Sequence, residues 1–363
     1  MRRFLSLAGA LRRGTARDGL PYKLTLILTR RCPTRCTFCS IWKTPSPDEL
    51  TPDEWDRVFA SAPNTAWANL SGGEIFQRPD LAAVLDALVA RMPRLWLVDF
   101  PTTGYFPDRA IAACDRLLRG GVRRVLVTVS LDGPPELHDR LRGREGAHER
   151  ACAALRALRE ARLPRVRAYF GMTLLPENHD RIEETVASAR DLVPGLTDRD
   201  FHFNVGMQSG HYYRNLDYDA RPPAAVLDEL ARRRRRGLDP VSFLERAYQK
   251  RIPRFLETGR SPVPCAALRA SAFVDPQGTV YPCSIYDRPL GSLRENGYDL
   301  GAVLRAAEAR AARESVVADR CPGCWTPCEA YQSLFAHFAG NGRAAQRDQK
   351  VGSATVAQIQ SNS

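Results

Sequence analysis

The sequence predicts an α/β protein: a partial barrel of six βα units followed by a small cysteine-rich C-terminal extension. Three observations predict it. From residue 22 onward, short apolar runs alternate with longer amphipathic stretches, the pattern of βα units around a parallel sheet. The loop after the first run carries Cys32, Cys36 and Cys39, and in such sheets ligands collect at the C-terminal strand ends. Around 216–262 the rhythm fades into helix, and beyond it five cysteines fall between residues 265 and 328.

Taken in order, residues 1–20 form an amphipathic N-terminal segment expected to pack outside the barrel. Their apolar stretch imitates a signal peptide but is short and is closed by Arg12 and Arg13 without a cleavage site. The core is expected over 21–215. Its strands are 23–29, 66–70, 95–100, 124–130, 167–174 and 201–205, with helices at 52–61, 80–91, 108–119, 146–161 and 180–192. Residues 216–264 read as a helical linker broken at Arg221-Pro222-Pro223 and Ser261-Pro262-Val263-Pro264. The segment 265–342 holds a hairpin over 273–281 and a helix near 299–314. The tail 343–363, rich in Gln, Ser and Ala, is expected to be disordered.

A chain of 363 residues suits one large domain with an appendage. At 44% hydrophobic it is globular, and it has no run of ~18 apolar residues to span a membrane; weak membrane contact through the N-terminal helix is the alternative. The net charge of +12 is carried almost wholly by arginine, and the run Arg232–Arg236 reads as a solvated helix end. No aromatic platform accompanies that charge, so no specific nucleic-acid partner is expected. Eight of the ten cysteines fall into two clusters. That points to ligation in a reducing cytoplasm rather than to disulfides. Cys114 and Cys152 lie in helical stretches and read as small core hydrophobes.

Cys32-x3-Cys36-x2-Cys39 puts three thiolates on one loop. They can hold three corners of a cubane cluster and leave the fourth iron open. Clusters that only carry electrons are generally closed by four cysteines, whereas an open position implies that something else binds there. A zinc half-site is the bland alternative, but the first histidine is His138 and no fourth ligand lies nearby.

With Phe38 before the last cysteine, this loop resembles the signature of radical S-adenosylmethionine (SAM) enzymes. Ser71-Gly72-Gly73-Glu74 is similar to that superfamily's second-strand motif. The resemblance covers roughly 20–215 and implies a (βα)6 core in which SAM fills the open corner of a [4Fe-4S] cluster. Reductive cleavage then yields a 5′-deoxyadenosyl radical that takes a hydrogen atom from substrate. It further implies that Gly72 and Gly73 let backbone approach SAM and that Glu74 offers a carboxylate to its amino group. Ser130, in Ser130-Leu131-Asp132-Gly133, would touch the ribose or carboxylate, Asp132 would line the cavity, and Asn178 would be a further SAM contact. For Ser130 and Asp132 the structural alternative is a helix N-cap. His202-Phe203-Asn204 and His211-Tyr212-Tyr213-Arg214 read either as substrate-facing or as ordinary loop.

Cys265, Gly278-x4-Cys283 and Cys321-x2-Cys324-x3-Cys328 are similar to SPASM/twitch extensions that hold auxiliary clusters. Five cysteines suffice for one closed [4Fe-4S] cluster with one thiol spare, and two such clusters would need eight. Cys265 and Cys283 are the expected ligands, completed by two of Cys321, Cys324 and Cys328, with structural zinc as the alternative. The spare thiol would cap a partial second cluster or act as an acid toward substrate.

Together these readings predict a radical SAM oxidoreductase that oxidises or cross-links a small molecule or peptide, with the auxiliary cluster accepting the electron. It would draw electrons from a donor such as flavodoxin or ferredoxin. The short stretch before residue 23 suggests a small molecule, or a peptide presented by a separate protein. Two alternatives are carbon–carbon bond formation or adenosylation on a lipid-like acceptor, and a non-catalytic two-cluster electron carrier. No catalytic residue is singled out.

Overall fold

The computed structural model describes residues 9–11, 14–16, 18–44, 47–223 and 240–339. The Arg232–Arg236 run and the tail 343–363 lie outside the described residues, as do residues 1–8. Six parallel strands form the frame: β1 (Lys23–Thr29), β2 (Trp67–Gly72), β3 (Leu97–Thr102), β4 (Arg124–Ser130), β5 (Val166–Leu174) and β6 (Phe201–Val205). They lie in sequence order, each hydrogen-bonded to the next, and the sheet does not close.

The connecting helices are α1 (Pro52–Ser61), α2 (Leu81–Arg91), α3 (Pro107–Arg119), α4 (Pro135–Arg142), α5 (Ala147–Glu160) and α6 (Ile182–Leu192). Local sequence starts and stops them. Thr51 caps α1 in a capping box with Glu54, the Thr51 N–H donating to Oε2 at 2.8 Å. Proline stands in the first turn of α1, α3 and α4. Gly143 ends α4 at φ +60°, a left-handed residue that closes a helix readily when it is glycine. Helix α4 lies where only a loop motif was read, because its apolar face is just Leu137 and Leu141.

One face of each strand packs the core. Leu24, Leu26, Leu28, Val98, Phe100, Val125, Val127, Val129 and Phe170 are buried in a single cluster with α1, α2, α3, α5 and α6, as the alternation of side chains across a strand dictates. The same alternation sends Lys23, Thr25, Asn69, Asp99, Tyr169 and His202 to the other face, where they line an interior cavity. At the N-terminal strand ends, Ala10 and Ala16 pack with Tyr22, Ala66 and Trp67.

The cysteine-rich segment joins this same sheet, which the sequence did not foretell. After helices α7 (Pro240–Gln249) and α8 (Ile252–Thr258), strand β7 (Ser271–Val274) pairs parallel with β1 in the register Lys23↔Ser271 to Leu26↔Val274. Strands β8 (Thr279–Tyr281) and β9 (Gly291–Ser292) extend it antiparallel. The expected hairpin therefore makes a nine-stranded sheet. The helix expected near 299–314 is two, α9 (Leu300–Arg305) and α10 (Ala307–Val317), broken at Ala306, which is extended at ψ 165°. Helix α11 (Pro327–Phe338) ends the described chain. Among the described residues no helix is long and apolar enough to cross a membrane.

Candidate active site and cluster-binding sites

The cysteine loop is held from three sides. Glu49 anchors its start, accepting from Thr29 Oγ1 at 2.7 Å and the Arg30 N–H at 3.0 Å. The end of α4 holds its middle, where the N–H groups of Arg35 and Thr37 donate to the carbonyls of Arg142 and Leu141 at 2.8 and 2.9 Å. The Ser40 N–H donates to the Tyr213 carbonyl at 2.8 Å. Between the thiols sits Thr34, with its hydroxyl 3.1 Å from Cys32 Sγ and 3.4 Å from Cys36 Sγ. All three cysteines line one cavity of about 260 Å³.

Gly72 and Gly73 lie against the root of that loop. A Cβ on Gly72, which sits at φ +150°, would come within 2.2 Å of the Thr29 carbonyl oxygen. One on Gly73 would come within 2.3 Å of the Arg31 oxygen and 2.9 Å of the Arg30 oxygen. Every obstacle named is backbone, so neither position can relax by turning a side chain. Gly73→Ala is expected to cost about 1–3 kcal/mol. Urea denaturation checks it, and an unchanged midpoint would mean that the loop root is not packed as described.

Gly72, Gly73 and Ser130 line the cavity. Glu74, Asp132 and Asn178 do not, although each was expected to meet SAM. Glu74 is fully buried behind the wall. Its Oε2 accepts from Thr102 Oγ1 (3.0 Å), the Thr103 N–H (2.7 Å) and Thr103 Oγ1 (2.6 Å), which ties β2 to the end of β3. Burial pushes its carboxyl up against those donors. Asn178 hydrogen-bonds only backbone: its amide donates to the Asp132 and Thr173 carbonyls and accepts from the Leu175 N–H, all within 2.8 Å.

Asp132 pairs with Arg142 at 2.6 Å through Nε and takes the Thr173 N–H at 2.8 Å. Its own N–H donates to His138 Nδ1 at 2.8 Å, so that ring is neutral with its proton on Nε2. Burial and the Arg142 charge hold His138 well below the ordinary histidine range. Arg142 then points at the cysteine loop, with Nη1 3.8 Å from Cys36 Sγ and its guanidinium over the Phe38 ring at 5.4 Å. Burial works against that charge, and Asp132 with Cys36 and Cys32 overrules it, raising the arginine. A loop motif thus becomes a positioning bracket, and Arg142, to which sequence reasoning gave no role, is its cation. Its signal was a short amphipathic run ending at Gly143.

The five C-terminal cysteines divide. Cys265, Cys283, Cys321 and Cys324 line a second cavity of about 250 Å³, while Cys328 lines the first. The Ala267 N–H donates to Cys265 Sγ at 3.5 Å and the Tyr286 N–H to Cys283 Sγ at 3.3 Å, the kind of N–H···S contact that tunes iron–sulfur potentials.

Both thiol sets fit a metal cluster chemically. Burial pushes Cys39 up to about 12 and raises Cys32; in the second set it pushes Cys265 up to about 12 and raises Cys283 and Cys324 well above the thiol range. Thiols so buried become thiolates when a metal takes the proton's place. Among the described residues, no three Cys, His, Asp or Glu side chains close on one point as a single ion requires. The thiols surround volumes instead.

Comparison with known proteins agrees with this geometry. Residues 26–189 match the radical SAM superfamily, and residues 265–328 match SPASM, an iron–sulfur cluster-binding domain. The chain is 25% identical over 305 residues to the sporulation killing factor maturation protein SkfB of Bacillus subtilis, covering 82% of this chain and 68% of that protein. It is 27% identical over 307 residues to a PqqA peptide cyclase of Ruegeria pomeroyi, covering 79% and 76%. Two solved structures share the fold. Native anSMEcpe with bound AdoMet superimposes with a TM-score of 0.54 at 13% identity, over 89% of this chain and 99% of that one. Streptococcus suis SuiB bound to the precursor peptide SuiA gives 0.51 at 14% identity, over 77% of this chain. The chain spans 62% of SuiB's length. The chain therefore carries a radical SAM domain over residues 26–189 and a C-terminal SPASM domain over 265–328, and these domains imply SAM, a [4Fe-4S] cluster and auxiliary iron–sulfur clusters as its cofactors.

Proposed function

We propose that this enzyme oxidises or cross-links a peptide, with Cys32, Cys36 and Cys39 holding the SAM-binding cluster and Cys265, Cys283, Cys321 and Cys324 holding one auxiliary [4Fe-4S] cluster. The observation that carries the reading is the division of the thiols. The three loop thiols, with Cys328, line a cavity with room for further ligands, and four line a separate pocket. When bound, the cofactors supply a 5′-deoxyadenosyl radical and a nearby electron acceptor.

The chain's own residues do the rest. Gly72 and Gly73 leave a bare backbone edge beside the triad, and Ser130 lines the same cavity. Arg142 places a fixed positive charge next to Cys36. Tyr212, its hydroxyl 2.8 Å from Ser71 Oγ, and Tyr213 close the wall between the loop and β7. A peptide is favoured over a small molecule because the SkfB, PqqA cyclase and SuiB similarities all concern proteins whose names or described complexes involve maturation or peptides. Electrons would come from a low-potential protein such as flavodoxin or ferredoxin.

Anaerobically reconstituted enzyme given SAM and dithionite is expected to release 5′-deoxyadenosine and to contain about eight irons per chain. With its peptide, the product should be lighter by two hydrogens for each bond formed. Absence of 5′-deoxyadenosine would overturn the radical reading. Four irons with stoichiometric zinc would overturn the auxiliary cluster, and a product carrying adenosine would replace oxidation by adenosylation.

A further inference from the structure

The inner face of the sheet carries a polar floor that the cluster chemistry does not use. Barrel interiors are ordinarily filled by branched apolar side chains, yet here Lys23, Thr25, Asn69 and Asp99 line an open cavity. Most of their groups are partnered. The Lys23 ammonium donates to the Cys328 carbonyl and to Gln332 Oε1 (3.3 Å) and lies 4.2 Å over the Trp67 ring. Asp99 accepts from Trp67 Nε1 and Asn69 Nδ2.

What remains is lopsided. Asn69 Oδ1, Thr25 Oγ1 and Thr326 Oγ1 have no hydrogen-bond partner, although their residues are only 6%, 2% and 4% exposed and all three line the cavity. Each Asp99 oxygen also keeps a second lone pair. A buried polar group left unpaired costs on the order of 1–3 kcal/mol, so three lining one cavity call for an occupant. With Lys23 already enclosed by two acceptors and a ring, the floor offers acceptors and hydroxyls but no open cation. A carboxylate could accept from the two threonine hydroxyls but would be set against Asp99 and the Asn69 Oδ1 acceptor, and a hydrocarbon would leave all three atoms unpaired.

We propose that this floor is a subsite for a hydrogen-bond-donating substrate side chain, a carboxamide, hydroxyl or amine, taken in preference to a carboxylate or a hydrocarbon. It rests on the peptide reading above and narrows it. Four residues of β1, about 13 Å, separate Thr25 from Thr29 at the root of the cysteine loop. A side chain reaching the floor is therefore anchored at its tip with its backbone toward the triad.

The test uses reconstituted holoenzyme with SAM and the N-acetyl methylamides of glutamine, serine, lysine, glutamate and leucine, titrated by saturation-transfer NMR. The glutamine, serine and lysine derivatives are expected to bind at least about tenfold more tightly than the other two. Thr25→Val, nearly isosteric, and Asn69→Leu should each weaken them about fivefold to tenfold. Should Asn69→Leu fail to fold, Thr25→Val still decides. Equal binding of the glutamate or leucine derivative overturns the subsite. So does a preference untouched by Thr25→Val, or no binding below about 10 mM. SAM cleavage by the same wild-type preparation is read separately, so that its absence condemns the radical reading and not the side-chain preference.

Discussion

Asp132→Ala is expected to lose about 3–5 kcal/mol of folding stability, the cost of leaving one partner of a buried ion pair alone. Asp132 is fully buried and its Arg142 partner nearly so, so water cannot replace the lost carboxylate. The same substitution also abandons the Thr173 N–H. Because the guanidinium beside Cys36 would lose its fixed orientation, the cysteine loop should loosen as well, and reconstituted iron at the triad should fall. Urea unfolding and iron content measure the two effects. The double change Asp132→Leu with Arg142→Met should recover much of the stability, since apolar replacement of a buried pair is often neutral, while leaving the iron deficit in place. A stability loss under about 1 kcal/mol for Asp132→Ala would mean that the pair is solvated and the bracket does not hold the loop.

Cys324→Ala should remove about half of the iron, whereas Cys328→Ala should remove none. Cys324 shares its pocket with Cys265, Cys283 and Cys321, and a [4Fe-4S] cluster short of one cysteine is poorly held. Cys328 faces the other cavity, where Lys23, Glu329 and Asp99 are the charges around it and burial pushes its thiol up to about 11. Loss of the auxiliary cluster should also lower stability steeply, because metal binding to a site formed only on folding is folding free energy. Iron analysis and thermal unfolding of the two variants side by side read both effects. Iron loss in Cys328→Ala that matched Cys324→Ala would return Cys328 to the ligand set.

Contiguous chemistry was legible in the chain itself. Cys32, Cys36 and Cys39 share one loop, Gly72 and Gly73 follow a strand, and α1 announces itself with Thr51, Pro52 and Glu54. Each of these depends on neighbours in sequence, where spacing and rotamer-independent backbone needs decide the outcome. Glu74, Asp132 and Asn178 were legible as polar residues at strand ends but not in their direction. A carboxylate there turns to the cavity or to the wall according to who offers hydrogen bonds, and the donors come from Thr102, Thr103, Thr173 and Arg142. The polar floor was written in the alternation Lys23-Leu24-Thr25-Leu26, and it was obscured because the strands were read as apolar runs.

By itself the sequence determined the βα rhythm, the thiol count and the backbone-tight glycines, all properties of short windows governed by periodicity and local sterics. Only the tertiary structure decided that β7 would join β1, bringing five distant cysteines beside the core and sending four to one pocket and one to the other. It also decided which donors the buried carboxylates of Glu74 and Asp132 would meet. These outcomes rest on pairings between residues far apart in the chain, where hydrogen-bond satisfaction and burial are set by the whole sheet and by no single segment of it.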